Sequence, residues 1–145
     1  YRPLWEQSTL QVPHIPLLPA LENCLRGLLN RRQLERGLEN IDEILANEKK
    51  GLAALQEKQG IQPSHRISRI LIISNDGSER FYRACEKTLL KNSDRLLLLH
   101  VDAPSNRLAQ GILGIADKPI KAILVSDRDA VSGVLFSLVA AQIKK

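Results

Sequence analysis

Apolar residues recur along this chain in two rhythms, and the change from one to the other falls near Ile67. Before it, Leu18, Leu21, Leu25, Leu28 and Leu29 share one helical face, which predicts a short helix over Leu17 to Leu29. Arg31 to Arg36 has the length of a short edge strand. Leu38, Ile41, Ile44, Leu45, Leu52 and Leu55 then mark a long helix from Gly37 to about Gln59. Gly51 costs that helix about 1 kcal/mol against alanine and is expected to weaken or divide it. Gly60 is placed to cap it, and Gln62-Pro63-Ser64 reads as a loop.

From Ile67 onward short continuous apolar runs alternate with helical patterns. Ile67–Ser74, Arg95–Val101 and Ile120–Val125 read as strands buried on both faces. Between and after them lie three predicted helices. These are Glu79–Lys91, with Phe81, Ala84, Cys85, Thr88 and Leu89 inward; Pro104–Ile112, opened by a proline; and Asp129–Ile143. This alternation predicts an α/β fold. The expected form is a three-layer α/β/α sandwich around a mixed, mostly parallel four-stranded sheet. Residues 17–145 form one domain in this reading.

Residues 1–16 read as an extended N-terminal arm. Four of the seven prolines fall in the first 20 positions (Pro3, Pro13, Pro16, Pro19), and proline denies both ladder hydrogen bonds and continuous helix. Yet Leu4, Trp5, Val12, Ile15 and Leu17 are apolar. The arm is therefore expected to lie across a surface, of its own domain or of a neighbouring protein, with Leu4, Trp5 and Ile15 as partner-binding residues.

Composition narrows the function classes. Hydrophobic residues make up 43% of the chain, enough for a real core, and no apolar run is long enough to span a membrane. Aromatic content of 3% leaves little for base-stacking platforms. The net charge of +5 is evenly spread, with ten Lys/Arg against eight Asp/Glu in residues 1–69 and eleven against eight thereafter. Nucleic-acid binding would need a local basic patch, not a basic tail. Cys24 and Cys85 have neither metal-site spacing nor a disulfide framework, which fits a reducing compartment. The opening does not read as a signal peptide, and a chain without methionine that starts at Tyr1 is expected to be processed or trimmed.

No set of residues reads as catalytic. Asp76 and Asp127 each follow a predicted strand, where open α/β sheets place ligands and paired carboxylates could hold Mg²⁺. No lysine or Ser/Thr–Lys pair stands at matching strand ends to complete a phospho-acceptor site. Capping explains both better, since Asn75-Asp76-Gly77-Ser78 is a turn ahead of a helix. His14, His65 and His100 are scattered, and His100, near Asp102, is expected to be a packed structural residue. Gly111-Ile112-Leu113-Gly114 follows a helix and is no phosphate loop. The expectation is a protein that is not an enzyme, with no metal and no cofactor.

The segment richest in binding chemistry is Arg31-Arg32-Gln33-Leu34-Glu35-Arg36-Gly37-Leu38-Glu39-Asn40-Ile41. Arginines lead into one glycine, which allows close backbone approach, and then into a helix start whose unpaired N–H groups suit an anion. A solvated surface strand followed by an ordinary helix is the competing explanation. The order of elements, this strip, and Arg107-Leu108-Ala109-Gln110-Gly111-Ile112-Leu113-Gly114-Ile115 together resemble the kink-turn RNA-binding ribosomal-protein superfamily. The similarity is greatest to its ribonuclease P/MRP protein subunit, and Tyr1-Arg2-Pro3-Leu4 is similar to the start of fungal-type versions. The resemblance covers nearly the whole chain through several weak motifs.

That resemblance implies a non-catalytic RNA-binding subunit of a ribonuclease P/MRP-type particle in tRNA and rRNA processing, in the nucleus or nucleolus. Its partners would be structured RNA with a kink-turn-like element and other protein subunits, with no membrane. The implied RNA-binding residues are Arg31, Arg32, Gln33, Arg36, Gly37, Glu39, Asn40, Ile115 and Lys118. The chain departs from the family pattern in three places: Lys49–Ser64, before the first buried strand, is longer than usual, and two departures fall in the strip and the helix it opens. Glu39 and Asn40 stand in exchanged order, and Glu43 occupies a cationic position, where a carboxylate repels phosphate. The alternative from another class is a protein-interaction module without direct RNA contact. A patch joining the arginines to Arg66 or Lys118 would favour RNA, and scatter among Glu35 and Glu39 would not.

Overall fold

The computed structural model describes residues 2–4, 10–59, 67–113 and 119–143. Strands β1 (Arg2–Pro3) and β2 (Gln11–Val12) pair antiparallel as a two-residue ribbon. Next come β3 (His14–Pro16), α1 (Pro19–Asn30), β4 (Leu34–Arg36) and α2 (Leu38–Gln59). The remainder is β5 (Arg69–Ile73), α3 (Glu79–Lys91), β6 (Leu96–Asp102), α4 (Ser105–Leu113), β7 (Ala122–Val125) and α5 (Arg128–Ile143).

The main sheet is mixed, with five strands in the order β3-β6-β5-β7-β4. It therefore exceeds the expected four by one. The added strand is β3, taken from the proline-rich arm: it pairs parallel to β6, His14 facing His100 and Pro16 facing Asp102. Proline is tolerated because β3 is an edge, where half of its backbone groups need no ladder partner. The Pro13 carbonyl accepts from the His100 N–H at 2.9 Å and starts the pairing. β5 and β6 are parallel, whereas β7 runs antiparallel to both β5 and β4.

Successive strand residues enter two different apolar clusters, as a period of two requires. Ile70, Ile72, Leu99, Val101, Ile123 and Val125 pack with Leu21, Leu25 and Leu28 of α1, Leu108 and Ile112 of α4, and Val131 and Val134 of α5. Leu71, Ile73, Leu98 and Leu124 pack with Ile41 and Leu45 of α2 and with Tyr82 and Cys85 of α3. Fully burying one such side chain contributes about 1.5–3 kcal/mol.

Gly51 does not divide α2, which continues through all 22 residues. The flanking Leu, Ala, Gln, Glu and Lys are good helix formers and outweigh one glycine. Burial nevertheless ends at Leu45, and residues 51–55 are all exposed. The expected cap at Gly60 and the loop at 62–64 lie outside the described residues. Among the described residues no helix is long and apolar enough to cross a membrane.

The register defines two edges of the sheet. Leu34 and Ile70 both face Val125, so Gln33, Arg69 and Arg95 lie at the amino ends of their strands along one edge. Arg36, Ala122, Ile73, Asp102 and Pro16 lie along the opposite, carboxyl edge.

Candidate nucleic-acid interface

The arginine strip is split between those two edges. Arg31 and Arg32 close α1 at the amino edge. The Arg32 N–H donates to Leu29 O at 3.0 Å and the Gln33 N–H to Leu28 O at 2.9 Å, the paired bonds of a Schellman motif. That motif asks for a left-handed residue, usually glycine, and here Arg32 takes it at φ 58°. Both arginines are exposed, and neither forms an ion pair among the described residues. The Arg31 charge reaches the Cys24 thiol, although burial dominates and pushes that thiol up. Gln33 is half-buried, and its carbonyl accepts from the Ser126 N–H at 3.0 Å.

An arginine in left-handed backbone costs about 1–2 kcal/mol, a strain that glycine relieves. Arg32→Gly is therefore expected to raise stability by about 1 kcal/mol, read as a higher midpoint in urea unfolding with an unchanged slope. A lower midpoint would mean that the arginine side chain contributes more to the fold than its backbone strain removes.

Arg36 and Gly37 sit at the carboxyl edge. Gly37 has φ +84°, and its N–H donates to Ala122 O at 3.2 Å. Its carbonyl accepts the first helical bond of α2, from the Ile41 N–H at 2.9 Å. The N–H groups of Leu38, Glu39 and Asn40 therefore precede the intrahelical ladder. A Cβ added at Gly37 would meet nothing within 4 Å, so the backbone is open to close approach. The Asn40 amide turns back toward Glu35 Oε2 and Arg36 O, both at 3.4 Å, contacts weak enough to exchange for a ligand. Glu39 and Glu43 are exposed on the same first turns of α2.

Lys121, immediately before β7, is exposed beside this turn, because its neighbour Ala122 holds the Gly37 N–H. The sequence reading placed it inside a strand and missed it as a cation. Ile115, Lys118, Trp5 and Arg66 lie outside the described residues. Leu4 is buried in one apolar cluster, and half-buried Ile15 packs against the other, so both meet their own domain.

The carboxylates expected to cap helices divide. Asp127 does cap α5, accepting from the Ala130 N–H at 3.0 Å. Asp76 does not cap α3: Ser78 takes that place, its hydroxyl accepting from the Phe81 N–H at 3.1 Å. Asp76 is two residues too early to reach the first turn. It instead joins the turn after β5 to the start of α4, accepting from Ser74 Oγ and Ser105 Oγ, each at 2.7 Å. The Asn75 amide crosses the same gap to Asp102 Oδ1 at 3.0 Å. Among the described residues no three of His, Cys, Asp or Glu are placed to hold a metal ion.

Burial pushes the Asp76 carboxyl up. The hydroxyls of Ser105 and Ser74, with the backbone N–H groups of Ser105 and Asp76, outweigh it and hold the group below its ordinary value. A depressed folded-state pKa contributes stability that is fully present above the unfolded value and is lost as pH falls through the folded one. Ser105→Ala should therefore raise the Asp76 midpoint in an NMR pH titration and reduce the acid-side loss of stability. An unmoved midpoint would show that the Ser105 hydroxyl does not hold the charge.

No family model matches the chain, and no curated protein matches it. Among solved structures, a protein with unknown function from Bacillus halodurans C is similar at TM-score 0.46 and 15% identity, covering 82% of this chain and 92% of that one.

Proposed function

We propose that this chain is a non-catalytic RNA-binding protein, a subunit of a ribonuclease P/MRP-type particle acting on tRNA and rRNA precursors in the nucleus or nucleolus. The observation that carries the reading is the Arg36–Gly37 turn. It presents an unobstructed backbone and the first N–H groups of a long helix, flanked by the cations Arg36 and Lys121 and, on the first turns of α2, by the exposed carboxylates Glu39 and Glu43. A phosphate at that point would meet backbone donors, a helix dipole and two positive side chains together. The two apolar clusters on alternate strand residues support a three-layer α/β/α arrangement. Arg31 and Arg32 provide a second, separate pair of exposed cations.

A second reading has its own observation. Leu52 (42% exposed) and Leu55 (50%) on α2, with Phe136 (76%) on α5, are large apolar side chains in solvent, and such groups favour protein contacts. Ultraviolet crosslinking in cells, followed by mapping of the crosslinked peptides, separates the two. The RNA reading expects a structured RNA attached within residues 31–40 or near Lys121, and no metal-dependent cleavage by the purified chain. Protein crosslinks at α2 and Phe136 without any RNA would give the interaction reading the lead.

A further inference from the structure

The seam by which α2 packs into its own domain continues past the domain. Leu38, Ile41, Leu45, Glu48, Leu52 and Leu55 follow one another at alternating steps of three and four, the a and d spacing of a heptad repeat. Ile41 and Leu45 are fully buried in the apolar cluster shared with α3 and the sheet. At Glu48, held by Arg69 and Arg95, the seam reaches the amino edge. From 49 to 58 every residue whose side chain is described is exposed, Leu52 at 42% and Leu55 at 50% among them. That stretch carries the helix onward by about 15 Å at the α-helical rise.

Spacing and charge select the occupant. Leucines at a and d are placed for knobs-into-holes packing, which takes a second helix. A few exposed helical turns are marginal in water, so a second helix also supplies the packing that this stretch lacks. The positions flanking the seam here are Lys49 and Gln56 on one side and Gly51 and Lys58 on the other, two lysines and no carboxylate. Lys49 is fixed on its flank, its ammonium donating to Lys91 O at the end of α3 at 2.8 Å. Lys50 and Glu57 fall on the face away from the seam. A second copy of the chain would bring only further lysines to the flanks. RNA would answer the lysines and leave the leucines without apolar contact.

We propose that the projecting half of α2 docks an amphipathic helix of another protein, apolar along its seam and acidic at its flanks. The carboxylates of that helix meet Lys49 and Lys58 at the rim, and its apolar side chains close over Leu52 and Leu55. The inference rests on the protein-contact reading of α2 and is independent of RNA contact at the Gly37 turn.

Fluorescence anisotropy with the full chain tests it. The probes are labelled synthetic peptides of about three heptads with leucine at a and d. One carries glutamate at the flanking e and g positions and the other lysine, so that each repels its own copies. The glutamate peptide should bind about tenfold more tightly, because like charges across an interface suppress the wrong partner. Leu52→Gln with Leu55→Gln, which keeps good helix formers, should abolish binding. Lys49→Glu with Lys58→Glu should reverse the preference. Lys58→Glu alone, which spares the Lys49 bond to α3, should narrow it. No binding of either peptide, or binding that survives the glutamine variants, overturns the proposal. Equal binding of both peptides, lost with the leucines, overturns the acidic partner and leaves the protein-contact reading of α2 standing. Sedimentation, leucine-methyl NMR and RNA titration of the same variants cover the other occupants. A dimer that the glutamine variants dissolve, methyl contacts from Leu52 or Leu55 to residues 60–66, or a structured RNA released by those variants would each seat something else on the seam and overturn the proposal.

Discussion

Glu48→Ala is expected to destabilise the domain by about 2 kcal/mol, because the part-buried pair lies between exposed ion pairs of little worth and the roughly 3–5 kcal/mol that breaking a fully buried one costs. Among the described residues Glu48 on α2 is the one carboxylate holding two arginines at the amino edge. Arg69 donates from Nε at 3.2 Å and Nη2 at 3.0 Å, and Arg95 donates from Nη2 at 3.0 Å. The side chain of Arg95 is 8% exposed and that of Arg69 16%, so neither can recover full hydration when the carboxylate goes. Arg95 Nη1 is already buried without a hydrogen-bond partner among the described residues, so the network starts one acceptor short. Glu48→Gln should cost less, since the amide oxygen can still accept one bond. Replacing all three with Leu and Met should recover much of the loss, because apolar groups of similar volume need no partner. Urea unfolding reads all three variants. A loss below about 1 kcal/mol for Glu48→Ala would place the network among surface ion pairs of little net worth.

That network also shows where sequence reading stops. Glu48 is 21 residues from Arg69 and 47 from Arg95, so no local pattern joins them. What periodicity does report came through well. Glu79–Lys91 has the bounds expected of it, because Ser78 caps one end and the apolar face runs without interruption to the other. The buried strands were legible for the same reason: residues entering two clusters alternately leave a continuous apolar run. Strand direction leaves no such mark, and the antiparallel course of β7 follows from pairing with both β5 and β4. β3 was hidden because proline content argues against interior strands and says nothing against an edge.

The candidate interface was legible in residue type and misleading in arrangement. Arg31, Arg32 and Arg36 are close in sequence, and a contiguous strip was the natural reading. A strand between them separates the groups: from Arg32 to Gly37 the chain covers about 15 Å at strand rise. That exceeds the Debye length of about 8 Å at physiological salt, so the two groups act on different stretches of any ligand. Asp76 shows the same limit, because its clasp on Ser105 depends on the turn after β5 meeting the start of α4, 29 residues on.

The separation turns the RNA reading into a contrast with unequal outcomes. If phosphates bind at the Gly37 turn, Arg36→Ala with Lys121→Ala should weaken every structured RNA by a similar factor. Each lost phosphate contact should lower the slope of log affinity against log salt by about 0.7–0.9, so the pair should remove roughly 1.5. Arg31→Ala with Arg32→Gly should leave that slope unchanged, while the glycine raises stability. Asn40→Ala should change preference among RNAs more than overall affinity, because a side chain at the helix start can reach base edges where phosphate contacts cannot discriminate. Glu43→Lys should act in the opposite sense on affinity, replacing an exposed carboxylate on the second turn of α2 with a cation and adding about one unit to the salt slope. Filter binding across a salt series, with one kink-turn RNA and one unrelated hairpin, measures all of these together. A slope that falls only with Arg31 and Arg32 would move the phosphate track to the amino edge. A slope untouched by either pair would remove both edges from RNA contact, and the exposed apolar residues of α2 and α5 would then define the working surface.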